Sequence, residues 1–198
     1  IGAVHDALDD DAIVVCAAGG LPGELHKLWR TSQPGGYHVE YGYSCMGYEI
    51  AGGLGVKMAQ PDRDVVVMVG DGSYMMMNSE LATSVMLGVK IIVVILDNRG
   101  FGCITRLQMG FGGERFNNLL DDAYHAVPSA IDFRKHAESQ GAVSEKVGSL
   151  DEMQAAMARA KASDISYAIV IDTDPLISIE AGGAWWDVAV PEVSDRAE

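Results

Sequence analysis

The stretch VVVMVGDGS ends an apolar run on the carboxylate of Asp71, set between Gly70 and Gly72. A second apolar run, IIVVIL, ends on Asp97 and Asn98, with Gly100 close behind. If both runs are parallel strands joined by a right-handed crossover, both polar groups arrive at the same edge of one sheet. A carboxylate, an amide oxygen and a nearby backbone carbonyl make a hard oxygen set suited to Mg²⁺ or Ca²⁺. Gly72 and Ser73 open the helix that follows Asp71, and the free N–H groups and dipole of a helix start favour phosphate. A metal beside such a start implies a metal-bridged diphosphate. A diphosphate charge about 6 Å from a bare Asp71 would be repelled by roughly 3 kcal/mol at an effective dielectric near 20, and a divalent ion between them reverses the sign. Alone, Asp71 would read as a helix N-cap. The second polar strand end favours the metal.

The elements that must position these groups are legible as alternating strands and helices. AIVVCAA (12–18) reads as a buried strand leading through Gly19 and Gly20 into a helix near LPGELHKLWR, with Pro22 suited to its first turn. A short strand around YHVEY precedes a Gly- and Ala-rich helix at 47–60. A strand at 65–69, a helix at 74–87 and a strand at 91–96 follow, then a helix over SAIDFRKHAESQG, strand VSEKV, a helix over LDEMQAAMARAKA and strand SYAIVIDT (166–173). Continuous Val/Ile runs between helices predict an α/β fold: a parallel, doubly wound sheet with helices on both faces. The run Met75-Met76-Met77 reads as helix packing on the sheet. Residues 99–128 show weak periodicity and three closely spaced glycines (Gly110, Gly112, Gly113), which predicts a lid-like loop. Within it Arg106 and Arg115 are candidate contacts to a polar substrate. The tail at 176–198 carries Trp185-Trp186 and ends acidic, with fraying expected at its last residues.

Composition narrows the function. The chain has 198 residues, enough for one α/β domain with a sizeable core, and no run reaches the roughly 20 apolar residues of a membrane span. The net charge of −14, with no basic run, disfavours nucleic acid as a partner. Cys16, Cys45 and Cys103 lack metal spacing and read as buried free thiols in a reducing cytoplasm. The five histidines show no ligand spacing; His26 and His38 stand nearest the expected cofactor edge. The chain opens IGAVHDALDDD, with Ile rather than Met and without the pattern of a signal peptide, and reads as a fragment.

GDGS followed by a helix, a strand and DN resembles the diphosphate-binding motif of thiamine-diphosphate enzymes. The resemblance implies that Asp71, the Asn98 side chain and the Gly100 carbonyl ligate Mg²⁺, with Gly70, Gly72, Ser73 and Asn98 around the diphosphate. Family pairs are often Asn-Asn where this chain has Asp97-Asn98. Upstream, SCMGYEIAGGLGVKMA resembles the segment whose apolar residue supports the bent cofactor. Met46 falls on that position, with the Ser44 carbonyl and the Met46 N–H at the aminopyrimidine edge. AAGGLPGE would line the phosphate end through Gly20 and Leu21. By composition alone, Met46 would be core filler.

GGLPGELHKLWR, EYGYSCMGYEIAGGLG, LDNRGFGCITRLQ and EAGGAWWDVAVPEVS resemble a hydrolytic branch of this family. The implied chemistry is opening of trihydroxylated cyclic 1,2-diketone to a deoxy-glucuronate acid in inositol catabolism, with the cofactor as electron sink. An acetolactate-synthase-like carboligase or 2-keto acid decarboxylase is the alternative within the family, and a non-catalytic domain that kept the fold is the alternative outside it. The whole chain reads as one diphosphate-binding domain of a homo-oligomeric enzyme. No catalytic residue is expected in it: the activating glutamate belongs, by resemblance, to a pyrimidine-binding domain of a neighbouring subunit. Isolated, the chain is expected to be inactive.

Overall fold

The computed structural model describes residues 1–178. A short helix α1 (Gly2–Asp6) precedes β1 (Ile13–Cys16), α2 (Leu21–Leu28), β2 (Tyr37–Val39) and α3 (Tyr48–Ala59). Then come β3 (Val65–Gly70), α4 (Asp71–Met76), α5 (Glu80–Leu87), β4 (Ile92–Asp97) and α6 (Gly102–Gly110). A 3₁₀ turn at Leu120–Asp122, α7 (Phe133–Ser139), β5 (Val143–Val147), α8 (Leu150–Ala162) and β6 (Tyr167–Asp172) complete the order.

The strands form one parallel sheet ordered β2-β1-β3-β4-β6-β5. Alternate residues of each central strand enter opposite cores, which is why the strands read as unbroken apolar runs. On one face Val15, Val67, Val69, Val93 and Ile95 pack with Ile50, Leu81, Phe133 and Ala137 from α3, α5 and α7. On the other, Val14, Val66, Met68, Ile92 and Val94 pack with Val4, Leu25, Met153 and Met157 from α1, α2 and α8. The expected doubly wound α/β sheet is borne out.

Three local expectations need correction. The helix expected at 74–87 is two, α4 and α5, broken at Met77, where φ −148° and ψ 67° leave the helical region. Asn78 and Ser79 follow, residue types that favour helix entry over helix interior, and Ser79 is the N-cap of α5. Met75, Met76 and Met77 are exposed rather than packed on the sheet. The stretch at 99–128 is not wholly irregular, since α6 and the 3₁₀ turn lie inside it. Of the expected tail, residues 179–198 lie outside those described.

The sheet order matters for the site. From β1 the chain first moves outward to β2, then returns to place β3 on the opposite side of β1. The loops after β1 and β3 therefore run apart at the carboxyl edge, and such a switch point opens a crevice. Close packing holds β3 beneath it: a Cβ added at Gly53 of α3 would collide with Val67 Cγ2. Gly53→Ala is expected to destabilise the fold by about 1–3 kcal/mol through overpacking, measured as a lower urea midpoint with an unchanged slope.

Candidate metal and diphosphate site

Asp71 is the first residue of α4, and Gly70, not Asp71, is its N-cap. The carboxylate turns instead toward the end of the neighbouring strand. Its Oδ2 accepts the Gly100 N–H at 2.7 Å and its Oδ1 accepts the Asn98 N–H at 3.3 Å. The juxtaposition follows from register: Gly70 pairs with Leu96 across β3 and β4, so both chains leave the sheet at the same level. The helix-cap alternative for Asp71 is thereby set aside.

A third oxygen joins them. In one amide orientation Asn98 Oδ1 sits 2.8 Å from the Gly100 carbonyl oxygen and 3.3 Å from Asp71 Oδ1, with no donor between. In the other orientation the amide Nδ2 donates to both. With its oxygen turned inward, the Asn98 amide would join the Asp71 carboxylate and the Gly100 carbonyl in an oxygen set that fits the donor preference of Mg²⁺. Burial, and then the neighbouring Asp97 carboxylate, push the Asp71 carboxyl up to about 6, against the opposing pull of the Asn98 and Gly100 N–H groups. A bound cation would supply the positive charge that this buried carboxylate lacks.

The turn that carries the carbonyl is tightly specified. Arg99 adopts φ +59° and Gly100 φ +141°, and a Cβ at Gly100 would strike the Asn118 carbonyl. Gly100 forms an isolated antiparallel bridge with Leu119. Phe101 N–H donates to Asn118 O at 2.7 Å and Leu120 N–H to Arg99 O at 2.9 Å. Phe101 folds its ring over Gly72, where a Cβ would lie 2.5 Å from Cε1.

A cavity of about 640 Å³ opens at the switch point between the β1 and β3 loops. Gly20, Leu21, Ser44, Met46, Gly70, Gly72, Ser73, Asn98 and Gly100 all line it, so the expected cofactor residues, separated by as many as 80 positions, share one space. Asp71 lies buried beside it, bonded to two of them. The Met46 turn has left-handed backbone on both sides, with Ser44 at φ +54° and Gly47 at φ +90°. A Cβ at Gly47 would meet Met77 Cγ at 2.8 Å.

Other candidates fall elsewhere. Arg115 makes two hydrogen bonds to the Asp122 carboxylate, at 2.9 and 2.7 Å, and does not line the cavity. His26 bonds the Tyr37 hydroxyl at 2.7 Å and His38 the Tyr48 hydroxyl at 2.6 Å; neither lines it. Cys16 is buried as expected, but Cys45 is exposed and Cys103 is on the cavity wall.

Glu49 was not foreseen. Although 1 % exposed, it accepts from Ser73 Oγ at 2.7 and 2.8 Å and from the Gly47 N–H at 3.0 Å, joining the Met46 turn to α4. Burial raises its pKa, with the Ser73 hydroxyl opposing. The signal available in the sequence was a lone carboxylate in the Gly- and Ala-rich segment YEIAGGLG.

Comparison with known proteins finds relatives along most of the chain. Residues 17–171 match the family described as "Thiamine pyrophosphate enzyme, C-terminal TPP binding domain". The chain is 43% identical over 194 residues to the 3D-(3,5/4)-trihydroxycyclohexane-1,2-dione hydrolase of Bacillus licheniformis, covering 98% of this chain and 30% of that protein. It is 46% identical over 200 residues to the protein of the same name from Bacillus cereus strain AH820, covering 98% and 31%. The chain thus spans about a third of the length of these curated relatives. Among solved structures, the thiamine diphosphate-dependent 4-hydroxybenzoylformate decarboxylase of Rhodococcus jostii RHA1 superposes with a TM-score of 0.77 at 22% identity, over 87% of this chain and 31% of that one. That likeness concerns the fold.

Asp71→Ala and Asn98→Ala are each expected to abolish Mg²⁺-dependent thiamine diphosphate binding while the fold survives, read by calorimetry alongside circular dichroism. A second expectation concerns pH. Without metal, the Asp71 carboxyl holds its proton in the folded chain up to about pH 6, whereas unfolded it releases it near 3.8. Asp71 therefore favours folding at low pH, and that contribution is lost as pH rises between these values. Mg²⁺ should remove the loss. The melting temperature of wild type relative to Asp71→Asn, measured across this range with and without Mg²⁺, checks both halves.

Proposed function

The chain belongs to the thiamine pyrophosphate enzyme family as its C-terminal TPP binding domain, and from that premise we propose that it is the metal- and diphosphate-holding part of a hydrolase that opens a trihydroxylated cyclic 1,2-diketone. The observation that carries the reading is the buried Asp71 carboxylate bonded to the N–H groups of Asn98 and Gly100, which line the cavity at the switch point. High identity to hydrolases of one name, along nearly the whole chain, supports the substrate class. The ring-opened product is then a deoxy-glucuronate acid, as expected for a step of inositol catabolism.

Bound thiamine diphosphate would supply the nucleophilic carbon and the electron sink for breaking a C–C bond. Asp71, the Asn98 amide oxygen and the Gly100 carbonyl would hold Mg²⁺. Gly70, Gly72 and Ser73, with Gly20 and Leu21 opposite, would face the diphosphate. Their glycines matter because backbone N–H groups can approach an anion closely only where no Cβ intervenes. Met46, half-buried on the cavity wall, would brace the cofactor's bend, with the Ser44 carbonyl at the aminopyrimidine edge. Glu49, through Ser73 and Gly47, keeps that brace in register with the diphosphate end.

The proton on the aminopyrimidine would come from a glutamate on a pyrimidine-binding domain of a neighbouring subunit. Exposed Tyr43, Met76 and Met77, clustered about the Met46–Gly47 turn, are the kind of apolar surface such a partner covers. The enzyme is read as a cytoplasmic homo-oligomer; no helix among the described residues is long and apolar enough to cross a membrane.

The full enzyme is expected to open the cyclic diketone without a second keto acid, which a carboligase would require; activity only with a keto-acid pair would refute the hydrolase reading. Met46→Ala is expected to lower turnover by about 100-fold through misplacement of the reacting carbon, with a smaller change in cofactor affinity. Steady-state kinetics and cofactor titration on the same preparation check the split.

A further inference from the structure

Arg106, on the second turn of α6, is half-buried on the wall of the same cavity. Its Nη1 donates to the Pro175 carbonyl at 2.7 Å. Among the described residues no carboxylate lies within ion-pairing distance of it. A guanidinium carries five N–H donors in a fixed fork, and that carbonyl bond occupies one. The other arginines around α6, Arg99 and Arg115, are paired with Asp121 and Asp122. Glu24 and Asp174 share the wall, but both are engaged: Ser178 Oγ donates to Glu24 at 2.5 Å, and the Leu176 and Ile177 N–H groups donate to Asp174 at 2.7 and 3.1 Å.

Two glycines leave room for the guanidinium and for the carbonyl it grips. A Cβ at Gly20 would come within 2.5 Å of Arg106 Nη2, so the bare backbone of the β1 loop makes room for the charged head. At Gly102 a Cβ would lie 2.9 Å from the Pro175 carbonyl oxygen and 3.1 Å from Asn98 Nδ2. Arg106, through the carbonyl it grips, thus stands one glycine away from the oxygen set. A bond to Pro175 alone could be made by an uncharged amide. A permanently charged fork on an otherwise acidic molecule, open on a ligand-sized cavity, has a further use.

We propose that Arg106 is an anion anchor of this cavity, its open edge taking a two-oxygen anionic group by paired charge-assisted hydrogen bonds. Phosphate on the cofactor and the carboxylate released by ring opening share that chemistry. The proposal rests on reading the cavity as the thiamine diphosphate site. It deepens that reading by giving the pocket a positive charge that the residues from Gly70 to Asn98, whose one basic side chain is Lys90, do not bring to it.

The test is calorimetry on the full enzyme as wild type, Arg106→Gln and Arg106→Lys. Thiamine diphosphate with Mg²⁺ is compared with unphosphorylated thiamine, and glucuronate with glucose on the cofactor-loaded protein. Arg106→Gln is expected to weaken one of the two anions by about 10- to 100-fold, leaving its uncharged counterpart unchanged. Arg106→Lys, which keeps the charge but not the fork, should fall between. Loss for the diphosphate assigns the phosphate; loss for glucuronate assigns the carboxylate. Unchanged affinity for both anions overturns the proposal, as does a loss extending equally to thiamine and glucose. If wild type does not bind thiamine diphosphate, the reading of the cavity falls, and titrations with inorganic pyrophosphate and glucuronate still decide Arg106.

Discussion

The Asp71 carboxylate, withdrawn from solvent and held by two backbone N–H groups of the next strand's loop, is the constraint on which the site depends. A lone buried carboxylate is costly, and the fold meets that cost with partners that cannot drift. The N–H groups come from Asn98 and Gly100, which also present the amide and the carbonyl oxygen. One side chain therefore both orders the loop and completes the proposed ligand set. The parallel register of β3 and β4 makes the arrangement possible, since a slip of one residue would carry Gly70 and Asp71 to the wrong faces.

Around that constraint the cavity is built by leaving side chains out. Gly20 admits the Arg106 head, Gly72 the Phe101 ring, and Gly102 the Pro175 carbonyl beside the Asn98 amide. The apolar cores above and below the sheet fix the strands, and the switch between β1 and β3 separates the loops. What remains at the edge is backbone, a few carboxylates and other polar heads. This is a site whose chemistry is delivered largely by a bound group, with the protein supplying position and charge.

Much of this was legible because strands buried on both faces must be apolar throughout. The runs at 65–69 and 91–96 could hardly be anything else, and polar residues placed directly after them mark a sheet edge. Met46 and Gly20 were visible only by resemblance to a motif, since nothing in their local pattern points to a cavity. Glu49 was hidden for the opposite reason: an acid in the first turn of a helix looks ordinary, and its burial depends on Ser73 arriving from 24 residues away. Arg106 and Arg115 were indistinguishable in sequence, both in a glycine-rich stretch. Only the path of the chain after α6, which brings Asp122 to Arg115 and leaves Arg106 on the wall, separates them. The break at Met77 was masked by the helix-favouring residues before it and beyond Ser79.

The bridge between Gly100 and Leu119 has a consequence for how such a chain can diverge. Bonds from Arg99, Gly100 and Phe101 to Asn118, Leu119 and Leu120 clip the turn that presents the carbonyl to a segment nearly 20 residues downstream. The intervening glycines at 110, 112 and 113 suggest slack, yet the segment closes a ring whose seam is the Gly100 turn itself. Insertions between residues 111 and 117 can be absorbed only as an outward bulge, for a change that shifted Asn118 or Leu119 would pull the carbonyl out of place. The outer part of that ring is free to vary in length and sequence, while its seam is fixed by geometry.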